Sequence, residues 1–277
     1  MTQPLLLCTD LDRTLIPNGN EPESPNARER FRRLVSDPGV TLAYVSGRDR
    51  GLVEKAIAEY DLPQPDYLVG DVGTSLYERL DDDWRLAEDW AREIGADWGG
   101  DRIRSLFADR PELRLQEPEK QGRFKLSFYA EADLDAERLR SELSDLLSAE
   151  AIRATLIWSL DEQAGVGLLD VLPERASKFH AVEFLMRKLG RDTRTTVFSG
   201  DSGNDLEVLT SYIPAVLVAN GHPDVREEAV AHTRANDLDG TLYCAKGGWS
   251  GMNGNYSAGI LEGVAHFRPD LIPLMES

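Results

Sequence analysis

Only two of the 277 residues are cysteine, Cys8 and Cys244, too few for a disulfide framework or a zinc ligand set. Long hydrophobic runs are missing as well, since no uninterrupted apolar stretch approaches the roughly 20 residues that span a bilayer. The chain starts on polar residues, without the basic segment and small-residue cleavage site of a secretory leader, so the expected location is cytoplasmic. Basic residues are outnumbered 31 to 49, a net charge of −18. A surface that acidic repels nucleic acid and anionic membranes, and neither is expected as a partner. Six of the 31 basic residues are lysines, which makes the placement of each lysine informative. An anionic substrate would need a local cationic patch and a divalent metal to overcome the surrounding field. Internal repeats and low-complexity segments are absent.

What is present is a soluble globular composition, 41% hydrophobic and 29% charged, with length enough for two domains. Leu5-Leu6-Leu7-Cys8-Thr9 is a short apolar run that reads as the central strand of a parallel sheet and ends in Asp10 and Asp12. The pattern continues with a helix over 25–36, a strand over 40–45, a helix over 51–60 and a strand over 67–71. That alternation predicts a Rossmann-like, doubly wound α/β core. It breaks near Asp81-Asp82-Asp83. Two helices, over 89–108 and 135–147, and strands at 112–116, 124–130, 155–159 and 167–172 suggest an inserted α+β layer. The alternation then resumes with a helix over 177–189, a strand over 195–198, a helix over 204–210, a strand over 214–218 and a last helix over 257–267. The expected division is a core of 1–82 with 173–277 and an insertion of 83–172. The glycine-rich run Gly247–Gly254 reads as a loop whose role stays open.

Ligand sites in open α/β sheets lie beyond the carboxyl ends of the strands. Asp-x-Asp alone is equally a turn or a helix N-cap, so the other strand ends must decide. A second strand end carries Gly200-Asp201-Ser202-Gly203-Asn204-Asp205; together with Asp10 and Asp12 it offers the hard oxygen ligands that Mg2+ prefers. Ser46-Gly47 supplies a hydroxyl and an open backbone N–H near a helix N-terminus, a seat for phosphate. Lys178 lies early in the helix after the insertion; alone, it would be an ordinary solvated lysine.

In this order, Asp-x-Asp-x-Thr, Ser-Gly, a lone Lys after an insertion and Gly-Asp-Ser-Gly-Asn-Asp resemble the four motifs of the haloacid dehalogenase-like phosphatases. The insertion is similar to the cap of members acting on small phosphorylated metabolites. Further segments resemble the sucrose-phosphate phosphatase branch: Pro65-Asp66-Tyr67 leading to Asp71-Val72-Gly73-Thr74, Lys125-Leu126-Ser127-Phe128-Tyr129, Leu169-Asp170-Val171-Leu172-Pro173 and Ser257 to Gly263. The related mannosylfructose-phosphate phosphatases share much of this. Ser46 departs from the Thr of many relatives but keeps the hydroxyl.

The resemblance implies a magnesium-dependent phosphatase, with sucrose 6-phosphate the first choice of substrate and mannosylfructose-phosphate or another glycosyl phosphate the alternative. A sugar phosphotransferase or mutase is a third reading, and a non-catalytic module a fourth. Asp10 would be the nucleophile, Asp12 the general acid and base, and Lys178 a charge-balancing group. Magnesium would be held by Asp10, the Asp12 carbonyl and Asp201, with Asp205 in support. Ser46, Gly47 and Asn204 would hold phosphate, while Thr14 and Arg48 would order the loop and approach the substrate. Lys125, Ser127 and Tyr129, alternating on one face of a strand, would meet sugar hydroxyls. A sugar-phosphate synthase is a candidate physical partner.

Overall fold

Leu5–Thr9 is buried at every residue and forms β1, as expected of a strand covered on both faces. In the computed structural model, which describes residues 3–161 and 164–276, β1 opens a β/α alternation: α1 (Ala27–Val35), β2 (Val40–Val45), α2 (Arg50–Tyr60) and β3 (Tyr67–Gly70). The chain then folds back in an antiparallel hairpin, β4 (Ser75–Leu80) and β5 (Asp83–Leu86). Next come α3 (Glu88–Gly95), α4 (Gly100–Phe107), β6 (Arg114–Leu115), β7 (Leu126–Glu131), α5 (Ala136–Ala149), β8 (Ala154–Asp161) and β9 (Val166–Pro173). The alternation resumes with α6 (Lys178–Leu189), β10 (Thr196–Gly200), α7 (Leu206–Leu209), β11 (Ala215–Leu217), α8 (Pro223–Ala235), β12 (Leu242–Cys244), α9 (Ser257–Phe267) and α10 (Ile272–Glu276).

Two units result, Met1–Ala87 with Lys178–Ser277, and Glu88–Ser177. The first holds an eight-stranded sheet in the order β12-β11-β10-β1-β2-β3-β4-β5, parallel except for the terminal hairpin. The order reverses direction around β1, the place where such sheets open a crevice at their carboxyl ends. The second unit holds an antiparallel sheet, β6-β7-β9-β8. Leu126, Phe128, Leu169 and Val171 on one of its faces pack with Ile103, Phe107, Leu139 and Leu143 of the helices.

Several elements differ from the sequence reading. The division falls after Ala87 and before Lys178, because β5 pairs with β4 and so belongs to the first sheet; a cut at 82 would sever that hairpin. The single helix expected over 89–108 is two, separated at residues 96–99. Gly95 ends the first of them and packs so close to Phe124 that a Cβ would lie 2.7 Å from the ring. The helix expected over 204–210 is a 3₁₀ turn, Gly203–Asp205, followed by the single turn of α7. The sequence reading missed β12 and α8; the latter buries only Val225, Ala229 and Thr233, too sparse a stripe to stand out.

Helix α9 is buried from Ser257 to Ala265 and lies against β11, where a Cβ on Gly263 would come within 2.1 Å of Val216 Cγ2. The Gly247–Gly254 loop packs on the first unit: Glu262 accepts from the Lys246 and Gly247 N–H groups at 3.1 and 2.9 Å, and Asn253 and Asn255 donate to the Pro22 carbonyl. Among the described residues no helix is long and apolar enough to cross a membrane.

Candidate active site

Asp10 follows β1 directly and its side chain is buried with Lys178, the first residue of α6. The Lys178 ammonium donates to Asp10 Oδ1 at 2.9 Å, Asp205 Oδ1 at 2.7 Å and Asn204 Oδ1 at 3.1 Å, which uses all three of its protons. Burial alone would depress the lysine, but the two carboxylates outweigh it and hold its pKa above the ordinary value. Asp205 is fully committed: Oδ2 accepts from the backbone N–H groups of Asp201 and Ser202 at 3.0 and 3.2 Å. Its side chain folds back over Gly200, where a Cβ would lie 2.5 Å from the carboxylate carbon, so the strand must end in glycine there.

Asp10, Asp201 and Asp205 each bring an oxygen within 4.8 Å of the others. Burial pushes Asp10 up to about 7 against the pull of Lys178, and burial with the nearby Asp205 pushes Asp201 up to about 6. Lys178 donates to two of the three buried carboxylates, while Asp201 is met by the Thr14 hydroxyl at 3.2 Å and by Arg13 Nε at 3.4 Å. A crowd of hard oxygens with excess negative charge fits Mg2+. Since Asp205 is engaged elsewhere, Asp10 and Asp201 are the residues that would hold the ion.

The Asp12 carboxylate lies outside this cluster. Arg48, beyond the end of β2, grips it through two bonds, and Asn18 Nδ2 donates to its Oδ1 at 2.7 Å. Burial works upward on Asp12, but the bonds from Arg48 and Asn18 prevail and hold its pKa below the usual carboxylate value. Two carboxylates one residue apart are thus poised in opposite directions.

Ser46 follows β2 directly and is buried, its Oγ accepting from the Arg48 N–H at 3.2 Å and keeping its own proton to donate. Because Lys178 can only donate, Asn204 turns Oδ1 to it and Nδ2 towards Gly47, where a Cβ would lie 3.9 Å from that nitrogen. Ser46, Gly47 and Asn204 therefore gather near Lys178 and Asp10.

Lys125, Ser127 and Tyr129 lie in the second unit. Lys125 precedes β7, while Ser127 and Tyr129 are in it. Both Lys125 and the buried Ser127 converge on Asp170 of the adjacent strand, at 3.2 and 2.5 Å, with the Lys120 carbonyl 3.2 Å from the same Ser127 hydroxyl. Tyr129 bonds Glu117 at 2.8 Å with Arg114 stacked 4.5 Å above its ring. In the sequence Asp170 is only one residue of a motif; its pairing with Ser127 across the strands joins it to Lys125 and Ser127.

Sequence reasoning also missed Asn18, Arg13 and Asn220. Asn220 follows β11, and the strand-end rule that picked out Asp10 would have found it there; Asn18, in a loop without periodicity, gives no such signal.

A doubly wound sheet with nucleophile-type carboxylate, lysine and acidic cluster at its strand ends defines a haloacid dehalogenase-like hydrolase. A family model described as sucrose-6F-phosphate phosphohydrolase matches residues 3–268. The chain belongs to that family, whose members are phosphoric monoester hydrolases, and is itself a phosphatase. It is 53% identical over 280 residues to a Nitrosococcus oceani chain named as a HAD-like hydrolase, covering 100% of this chain and 75% of the relative. It is 30% identical to the mannosylfructose-phosphate phosphatase of Agrobacterium fabrum, over 86% of this chain and 94% of that one. Among solved structures, the Synechocystis sucrose-phosphatase in complex with sucrose and phosphate superimposes with a TM-score of 0.72 at 25% identity, over 96% of this chain and 98% of the other.

Proposed function

We propose that this chain is a magnesium-dependent phosphatase that hydrolyses sucrose 6-phosphate to sucrose and inorganic phosphate. The observation that carries the reading is the triple contact of Lys178 with Asp10, Asn204 and Asp205 beside Asp201. Bound Mg2+ would neutralise charge on the phosphoryl oxygens and let a carboxylate approach a dianion. The other steps belong to the chain. An Asp10 oxygen attacks phosphorus in line; the bond to the sugar oxygen breaks, and that oxygen takes a proton from Asp12. Water then attacks the aspartyl-phosphate, losing its proton to Asp12 as phosphate leaves and the Asp10 carboxylate is regenerated. Ser46, the Gly47 N–H and Asn204 Nδ2 are the donors assigned to the remaining phosphoryl oxygens.

Sugar recognition is assigned to Lys125, Ser127 and Tyr129, with Asp170 bonded to the first two. The match to the mannosylfructose-phosphate phosphatase over nearly all of its length supports that substrate as the second reading. Phosphate release from a panel of phosphorylated disaccharides, with Mg2+ and with EDTA, tests both. Highest kcat/KM for sucrose 6-phosphate is expected; preference for mannosylfructose-phosphate would replace the first reading with the second, and turnover in EDTA equal to that in Mg2+ would remove the metal.

A further inference from the structure

Arg13, between Asp12 and Thr14, has a φ of 57°, a left-handed conformation unusual for a side-chain-bearing residue. Two asparagines hold it there. Asn18 Oδ1 accepts from the Arg13 N–H at 2.8 Å, and Asn220 Nδ2 donates to the Arg13 carbonyl at 2.6 Å. The other end of the Asn18 amide donates to Asp12 Oδ1 at 2.7 Å. The other end of the buried Asn220 amide accepts at 2.8 Å from the N–H of Tyr256, itself at φ 52° and ψ −133°. The Tyr256 hydroxyl returns to the same loop, 3.3 Å from Glu21 Oε2. Strained backbone persists only where its surroundings over-determine it, and such places cluster at functional sites.

We propose that Asn18 and Asn220 form a clamp on the Arg13 peptide that aims the Asp12 carboxylate, making both positioning residues for proton transfer to the leaving sugar. Asn220 anchors the clamp to the segment leading into α9, and Asn18 delivers it to Asp12. The inference rests on the reading of Asp12 as the proton donor.

The test exploits leaving groups. A sugar alkoxide needs a proton as it departs, whereas p-nitrophenolate does not, and kcat/KM reports the steps up to the first irreversible one. For Asn18→Ala and Asn220→Ala, kcat/KM for the best sugar phosphate of the panel should fall about tenfold or more, a fraction of the 10² to 10⁴ a general acid contributes. For p-nitrophenyl phosphate it should change less than about threefold. Equal losses on the two substrates, or no loss on either, would overturn the clamp. Asn18 is exposed, so its variant decides alone if Asn220→Ala does not fold. Asp12→Asn runs in parallel: without a leaving-group-dependent loss there, the proton-donor reading itself fails; with that loss but none in the asparagine variants, only the clamp fails.

Discussion

Arg48 holds Asp12 by both carboxylate oxygens, Nε to Oδ2 at 2.7 Å and Nη2 to Oδ1 at 2.6 Å. Two parallel bonds from a planar fork fix orientation as well as charge. The pair joins the ends of neighbouring strands β1 and β2, so parallel register, rather than sequence proximity, sets its geometry.

A lysine cannot reproduce that fork. Arg48→Lys should therefore lose nearly as much kcat/KM as Arg48→Ala, with both down by about tenfold or more if the roughly 1.5–3 kcal/mol of a charged hydrogen bond is lost. Steady-state kinetics of the two variants checks this; full activity in Arg48→Lys would show that charge alone suffices.

Metal binding should depend on pH in a defined direction. Asp10 and Asp201 have folded pKa values raised to about 7 and about 6 from an unfolded value of 3.8. Raised acids favour the folded state while protonated, so their contribution is complete below about pH 4 and is lost as pH rises through the folded values. Metal-free protein should lose stability across that window, and Mg2+, which binds the ionised carboxylates, should restore it. The rise in thermal midpoint on adding Mg2+ should be several-fold larger at pH 8 than at pH 5. Equal rises would refute the assignment.

Lys178→Met removes a cation in direct contact with both Asp10 and Asp205. Removing one partner of a buried pair costs about 3–5 kcal/mol, so metal-free urea unfolding at neutral pH should show a loss of that order. The loss should shrink at pH 5, where Asp10 and Asp201 take up protons. Turnover should fall at least about 10³-fold if electrostatic preorganisation is the main contribution.

Close packing of α9 on β11 predicts a contrast between two glycines. Gly263→Ala would drive a Cβ to 2.1 Å from Val216 Cγ2, whereas a Cβ on Gly240 meets nothing within 4 Å. Gly263→Ala should cost about 1–3 kcal/mol by overpacking, and Gly240→Ala should stay within about 0.5 kcal/mol of wild type. Chemical denaturation of both variants reads the difference.

The strand-end residues were legible because each follows an apolar run: Asp10 after Leu5–Thr9, Ser46 after Val40–Val45 and Asp201 after Thr196–Gly200. Parallel pairing then brings such ends together, so local pattern implies a shared site. Helix α8 and the close approach of Gly95 to Phe124 were not legible, since one has a sparse apolar stripe and the other joins residues well removed along the chain.

The sequence by itself determined the doubly wound core, the acids at its strand ends and the presence of an α+β insertion between its halves, because these follow from periodicity and the order of motifs. Only the tertiary structure decided what surrounds each carboxylate. Asp10 is raised by burial and Asp12 lowered by Arg48 and Asn18, although both are aspartates one residue apart. It also decided that Ser127 and Lys125 converge on Asp170, and that Asn220 reaches back across the fold to Arg13. A side chain's ionisation and partners depend on what surrounds it in space, and chain position alone does not carry that information.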